Sequence, residues 1–221
     1  MISVFKSLIM VFSKILETSN LSNMRLTNIH LKNFRCYETL DLDLDPNFNI
    51  MVGINGTGKT AILEAIRIAI GSLFLDVDKY DNKIWSPGID ANDVRLSHLE
   101  LQYPSSISSA AFMSENLAPK SIKLPNTVLW TRTLETHGGR TTQIHAKEMK
   151  VVSSTLKELV RSNEKKNIPL IAYYSTDRFK KEKKDTGIVA DGSRLRGYYN
   201  ALDPLTNIKF FLSLFKTETL S

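Results

Sequence analysis

Gly53-Ile54-Asn55-Gly56-Thr57-Gly58-Lys59-Thr60 is the stretch on which the reading of this chain turns. Its spacing, Gly-x4-Gly-Lys-Thr, is that of a phosphate-binding P-loop. Glycines accept the dihedrals that let successive backbone N–H groups turn inward around an anion. Lys59 has the reach for the β and γ phosphates of a nucleoside triphosphate, and the Thr60 hydroxyl is a ligand for Mg2+. Upstream, Phe48-Asn49-Ile50-Met51-Val52 is a short apolar, β-prone run and predicts a strand. Downstream, Ala61, Ile62, Ala65, Ile66, Ala69 and Ile70 recur at helical spacing, which predicts a helix over 59–72 with Glu64 and Arg67 on its other side. The positive end of that helix adds to the same anion site. Strand, glycine loop and helix stand in the order that phosphate binding requires, and a chance glycine turn carries no such flanks.

The rest of the chain is ordinary by composition. Its 221 residues suffice for one large or two small domains, and 42% hydrophobic with 24% charged residues reads as a soluble globular protein. The single cysteine, Cys36, excludes an internal disulfide and fits a reducing cytosol. His30, His98, His137 and His145 are scattered, with no CxxC near them, so no zinc site is expected. The formal net charge is +6, and residues 161–196 carry most of it, with ten Lys or Arg against five acids. Such a segment can track a nucleic-acid backbone, or can be a solvated loop, which is the better reading for Lys180-Lys181-Glu182-Lys183-Lys184 taken alone.

Leu26, Ile29, Leu31 and Phe34 alternate in a β-like manner. Leu40, Leu42 and Leu44 alternate with Asp41, Asp43 and Asp45, which predicts a half-exposed strand with its acids in water. Leu73-Phe74-Leu75-Asp76-Val77-Asp78 has the look of a Walker B strand but follows the P-loop helix too closely to be one. Residues 81–93 read as loop, 94–103 as a strand, 104–125 as irregular because they are rich in Ser and Pro, and 128–144 as a hairpin turning at His137-Gly138-Gly139. An amphipathic helix is expected over 147–163, a buried strand over 168–174, and a last helix over 205–219 carrying Ile208, Phe211, Leu212 and Phe215.

Residues 1–23 differ from the rest of the chain. Ile2, Phe5, Ile9, Phe12 and Leu16 share one helical face, and the longest unbroken apolar run, 8–12, is far short of a membrane span. No transmembrane segment or secretory signal is expected. The segment reads as an amphipathic extension (a membrane-surface helix, a docking helix, or residues upstream of a natural start at Met24), with the domain beginning at 24 and running to 221.

Several residues together resemble a known group. Asn33-Phe34-Arg35 after the opening strand, the acid-alternating strand, and then Gly-x-Asn-Gly-x-Gly-Lys-Thr are similar to the N-terminal lobe of the RecF/SMC/ABC-type ATPases. More narrowly, 24–220 resembles bacterial predicted ATP-binding proteins of the AAA family, with the Septu and OLD-like defence ATPases as relatives. Asp93-Val94-Arg95-Leu96, Ile171-Ala172-Tyr173-Tyr174-Ser175-Thr176-Asp177-Arg178 and Ser193-Arg194-Leu195-Arg196-Gly197-Tyr198 followed by Ala201-Leu202-Asp203-Pro204 carry the narrower likeness. The resemblance implies an α/β fold: the N-terminal lobe of a P-loop NTPase, a mixed β-sheet with the P-loop helix, and the C-terminal lobe missing. The signature loop, the Walker B strand ending in Asp-Glu and the switch histidine of such ATPases do not follow Lys59 in this sequence.

The same resemblance implies ATP and Mg2+ bound between two lobes and a head-to-tail homodimer. It puts Arg35 near the nucleotide phosphates, although a plain surface arginine fits equally, and Asp177 near the metal, where a strand cap or an ion pair with Arg178 fits as well. Phosphoryl transfer is mostly positioning and charge neutralisation; no residue offers itself as the general base, so little hydrolysis is expected of the chain by itself. Three functions are compatible with these residues: the ATP-binding part of an ATPase linked to DNA repair or anti-phage defence, coupled to DNA or to a nuclease partner; a nucleotide-binding or partner-binding remnant without turnover; and a P-loop kinase. The opening strands, and the want of an Arg-rich lid, weigh against the kinase.

Overall fold

The computed structural model describes residues 8–10, 24–77, 84–117, 123–162, 168–174 and 194–203. Their elements, in order, are β1 (Leu8–Met10), β2 (Met24–Phe34), β3 (Tyr37–Asp43), α1 (Lys59–Gly71), β4 (Leu96–Ser97), β5 (Glu100–Leu101), β6 (Ser105–Met113), β7 (Thr127–Leu134), α2 (Lys147–Arg161) and β8 (Ala172–Tyr174). The main sheet has the order β3-β2-β6-β7 with every neighbouring pair antiparallel. α1 packs on β2 and β6, and α2 on β7 and the 3-10 turn Ser72–Phe74. The layering is α/β, with the sheet backing the helix that leaves the glycine loop; of the mixed sheet expected, the described pairs are antiparallel ones.

β2 and β3 form where the alternation placed them. Ile29, Leu31 and Phe34 are buried on the helix side, and Leu40 and Leu42 pack at its margin. The acids of β3 face outward but not into water alone. Asp41 Oδ1 lies 2.6 Å from His30 Nδ1, and Asn28 donates to Asp43 across the strands at 2.8 Å. Among the described residues no group of three His, Cys, Asp or Glu is placed to hold a metal ion.

Several expectations need correcting. The Ser-rich stretch after Pro104 is not irregular: it contains the central strand β6, with Ser105, Ile107, Ser109, Ala111 and Met113 all buried. Its side chains point inward and outward with period two, and the small inward ones let α1 approach the sheet closely. The strand expected over 94–103 is broken into β4 and β5 by His98 and Leu99, both at positive φ (50° and 65°). The hairpin expected over 128–144 has only its first strand. Its return chain makes one ladder bond, Thr142 N–H to Thr133 O at 2.7 Å. Thr141 is drawn instead to the 84–90 loop, where its hydroxyl accepts from Ile89 N at 2.7 Å and donates to Ile89 O at 2.9 Å.

The strand expected over 168–174 is shortened to β8, since Pro169 has no N–H for a ladder. Residues 8–10 are strand, not helix. They pair with β8, Leu8 opposite Tyr174 and Met10 opposite Ala172, and extended backbone satisfies groups along that edge. The strand expected over 48–52 has no ladder partner among the described residues. An Asx turn shapes the chain there: Asp45 Oδ1 accepts from the amides of Asn47 (2.8 Å) and Phe48 (3.2 Å). Phe48, Ile50 and Val52 are left 64%, 63% and 85% exposed. The Leu73-Phe74-Leu75-Asp76 run is a 3-10 helix continued by a turn, as its rejection as Walker B requires. The helix expected over 205–219 lies outside the described residues.

Candidate functional site

The glycine loop is fully described, and its geometry follows from its residues. Gly56 and Gly58 stand at φ 87° and 89°, a region that costs a side-chain-bearing residue about 1–2 kcal/mol. Thr57 Oγ1 donates to Ile54 O at 2.9 Å and fixes the crown of the loop. The Lys59 ammonium donates to the carbonyls of Gly53 and Ile54, each at 2.6 Å, so its charge sits at the hollow of the loop's own backbone. α1 begins at Lys59 with Gly58 as a left-handed N-cap and no side-chain cap bond, and no acid lies in its first turn. Its leading amides are therefore not taken by the protein's own carboxylates, which is the arrangement an anion uses.

The β2–β3 turn braces this loop. A Cβ on Gly58 would come within 2.4 Å of the Tyr37 hydroxyl and 2.6 Å of the Cys36 thiol. Tyr37 donates to Thr57 O at 3.2 Å. Burial, then the neighbouring Cys36, raise the Tyr37 phenol above its ordinary value, which keeps its proton on as a donor. The turn does meet the phosphate loop, but through Cys36 and Tyr37. Arg35 itself, at φ 50°, holds Asp93: Nε and the terminal NH2 lie 2.9 Å and 2.8 Å from Asp93 Oδ1, and the two backbones are joined by Arg35 N–H to Asp93 O at 2.7 Å. Sequence reasoning missed Tyr37, Cys36 and Asp93, and only the Asp93-Val94-Arg95 likeness pointed near one of them.

Burial raises the Asp93 carboxyl above its ordinary value, opposed by the Asp90 backbone contact and by Arg35. A raised folded-state value means the native form binds the proton more readily than the unfolded chain. Asp93's contribution is therefore greatest below its unfolded value and falls as pH rises through the folded one. Arg35→Ala removes the opposing charge and widens that window upward. The variant is expected to lose about 1–3 kcal/mol at pH 7, the cost of an unsatisfied buried acceptor, and clearly less at pH 4. Denaturant unfolding at the two pH values measures this, and equal losses would contradict it.

Glu64 and Arg67 correct the helix reading. They do not lie on a solvent side: both are buried, and α1 is covered around most of its circumference. Arg67 Nε donates to Glu64 Oε2 at 2.7 Å and Arg67 NH1 to Leu202 O at 3.2 Å, while the Tyr173 hydroxyl donates to Glu64 Oε1. The guanidinium also lies over the Trp85 ring at 5.3 Å and the Tyr173 ring at 5.5 Å. The i,i+3 spacing of opposite charges in an otherwise apolar helix was the available signal. Asp177 and most of the basic 161–196 segment lie outside the described residues, so that the structure brings together 53–60 and the Arg35 turn but says nothing of Asp177.

A model of the AAA domain family (AAA_23) matches residues 28–218. The DNA replication and repair protein RecF of Lactococcus lactis subsp. cremoris is 63% identical over 43 residues, 20% of this chain and 12% of that protein. RecF from Actinobacillus pleuropneumoniae and from Escherichia coli O1:K1 are 56% identical over the same length. The aligned stretch thus spans about one-eighth of the length of these relatives. Among solved structures, one from work on ATP-driven dimerization and DNA-stimulated activation of SMC ATPases aligns with 59% of this chain and 80% of its own, at 16% identity and a TM-score of 0.37. No helix among the described residues is long and apolar enough to cross a membrane.

Proposed function

We propose that this chain, which belongs to the AAA domain family, is a P-loop ATPase-like protein of RecF/SMC type whose residues 53–60 bind Mg-ATP. The observation that carries the reading is the loop itself: two glycines in conformations closed to other residues, a lysine charge aimed into the hollow, and an uncapped helix start. The donor set fits a polyphosphate. Backbone amides of 53–60 cradle the β phosphate, Lys59 neutralises β and γ oxygens, and Thr60 holds Mg2+. The metal, when bound, offsets the charge developing on the phosphoryl oxygens. Arg35 contributes by holding the β2–β3 turn against the loop. Asp177 is proposed as a further metal contact, on resemblance alone.

The wider role is drawn from the relatives. The chain is read as the nucleotide-binding portion of an ATPase acting in DNA repair or anti-phage defence, in a cytoplasmic setting. Residues 161–196 approach DNA, a homodimer forms over two nucleotides, and a nuclease is a candidate partner. The exposed Phe48, Ile50, Val52 and Ile54 fit a face that a second lobe or partner covers. Turnover is expected to be slight, since neither a Walker B acid pair nor a signature loop is in the sequence.

Calorimetric titration of the 221-residue chain with Mg-ATP tests the reading. Binding is expected, weakened about tenfold to a hundredfold in Lys59→Ala, which loses bonds of about 1.5–3 kcal/mol to charged oxygens. Equal affinity in both proteins would overturn the assignment. Hydrolysis by the unaltered chain that vanishes in Lys59→Ala would keep the site but overturn the expectation of slight turnover.

A further inference from the structure

α1 poses a mechanical problem. Its first turn carries Lys59 and Thr60, yet no side chain caps it and its N-cap is a left-handed glycine. First turns fray unless held, and capping is the usual means. Here the leading amides face the phosphate site, so the hold has to come from behind. One turn further on, Glu64 lies on the same helix face as Thr60, and in an α-helix its N–H bonds to the Thr60 carbonyl. Glu64 is gripped on both carboxylate oxygens, by Arg67 on one and by the Tyr173 hydroxyl on the other, all three residues buried. Tyr173 belongs to β8 and is itself anchored, its N–H donating to Ala201 O at 2.9 Å, and Arg67 reaches Leu202 O in the same turn.

We propose that the Tyr173–Glu64 hydrogen bond is a positioning contact for the metal ligand Thr60, fixing the second turn of α1 to β8 so that the uncapped first turn presents its hydroxyl in one orientation. The inference rests on the Mg-ATP reading above and deepens it. Tyr173 is buried with its hydroxyl on Glu64, and it acts through Glu64 and the helix. The contact is directional, because a hydroxyl donating to one carboxylate oxygen fixes rotation of the helix about its axis, which apolar packing alone resists weakly. Supporting groups of this kind typically change metal affinity about 10–100-fold when removed.

Tyr173→Phe isolates the contact, since the ring and its packing remain and only the hydroxyl goes. Affinities of the full chain and the variant would be measured by calorimetry for ATP with Mg2+ and for ATP with EDTA, alongside thermal melting. The expected result is Mg-ATP binding weakened about tenfold, with metal-free ATP changed less than about twofold. A merely structural hydroxyl would lower the melting temperature and leave the ratio of the two affinities unchanged, and that outcome overturns the inference while the site stands. Equal weakening of both forms overturns it as well. No binding of either form to the unaltered chain would overturn the nucleotide reading and this inference with it.

Discussion

Gly58→Ala is expected to abolish measurable Mg-ATP binding while leaving the chain folded. Two penalties meet at this position. The φ of 89° costs an alanine about 1–2 kcal/mol. Its methyl would also lie 2.4 Å from the Tyr37 hydroxyl and 2.6 Å from the Cys36 thiol, contacts that cost about 1–3 kcal/mol to relieve. The relief available is outward movement of the Tyr37 ring, which breaks its bond to Thr57 O and removes the brace from the loop. The strain is therefore released by the loop leaving its phosphate-holding shape, at a loss of about 3 kcal/mol in binding, more than a hundredfold. The loop is exposed and contributes little to the core, so the melting temperature should move by only a few degrees. Calorimetry and melting on the same sample decide it. Affinity within threefold of the unaltered chain would show that the turn is not seated against the loop as described.

The largest loss of stability is expected at Arg67. Arg67→Met keeps much of the volume but leaves the buried Glu64 carboxylate with the Tyr173 hydroxyl alone, and leaves Leu202 O without its donor. Breaking one side of a buried pair costs about 3–5 kcal/mol, because the remaining charge keeps its desolvation cost. Against a typical total of about 5–15 kcal/mol, that is a third or more of the stability of the domain. Urea unfolding should show the midpoint moving sharply down with little change in slope. A companion test is Glu64→Gln with Arg67→Met, in which the orphaned charge is gone. The double variant should recover part of the loss, and full additivity of the two changes would argue against a coupled pair.

The part of this fold that could be read in the sequence is the part governed by local rules. The glycine loop, α1, the buried face of α2 and the alternation in β2 and β3 each follow from spacing over a few residues, and the structure has them there. β6 was hidden because serine is a turn former by composition, while its place inside the sheet is decided by pairing with β2 on one edge and β7 on the other. The same holds for β1: no rule within residues 8–10 says that β8 has an edge to offer. The bracing of the loop was illegible for a related reason. Tyr37 precedes Gly58 by more than twenty positions, and Asp93 meets Arg35 only after β2 is bridged to Val94. Charges on α1 misled in the opposite direction, since a local rule sends Glu64 and Arg67 to solvent and only tertiary partners make their burial affordable.

The strand order bears on how the chain is made. β2 lies inside the sheet, and its β6 partners run from Ser106 to Met113, on the far side of the glycine loop and α1 in sequence. A ribosome adding about 5–20 residues per second completes the β2–β3 hairpin several seconds before β6 exists. For that interval the nascent chain presents an eleven-residue strand with one edge unpaired and Ile29, Leu31 and Phe34 along one face. Arg25, Asn28, His30 and Lys32 on the same strand are polar or cationic, the residue types that discourage edge-to-edge pairing between chains. Synthesis is thus safest when the strand is shielded or when elongation is brisk, and slowing translation between residues 44 and 113 should divert more of the product into aggregates than slowing it after 134.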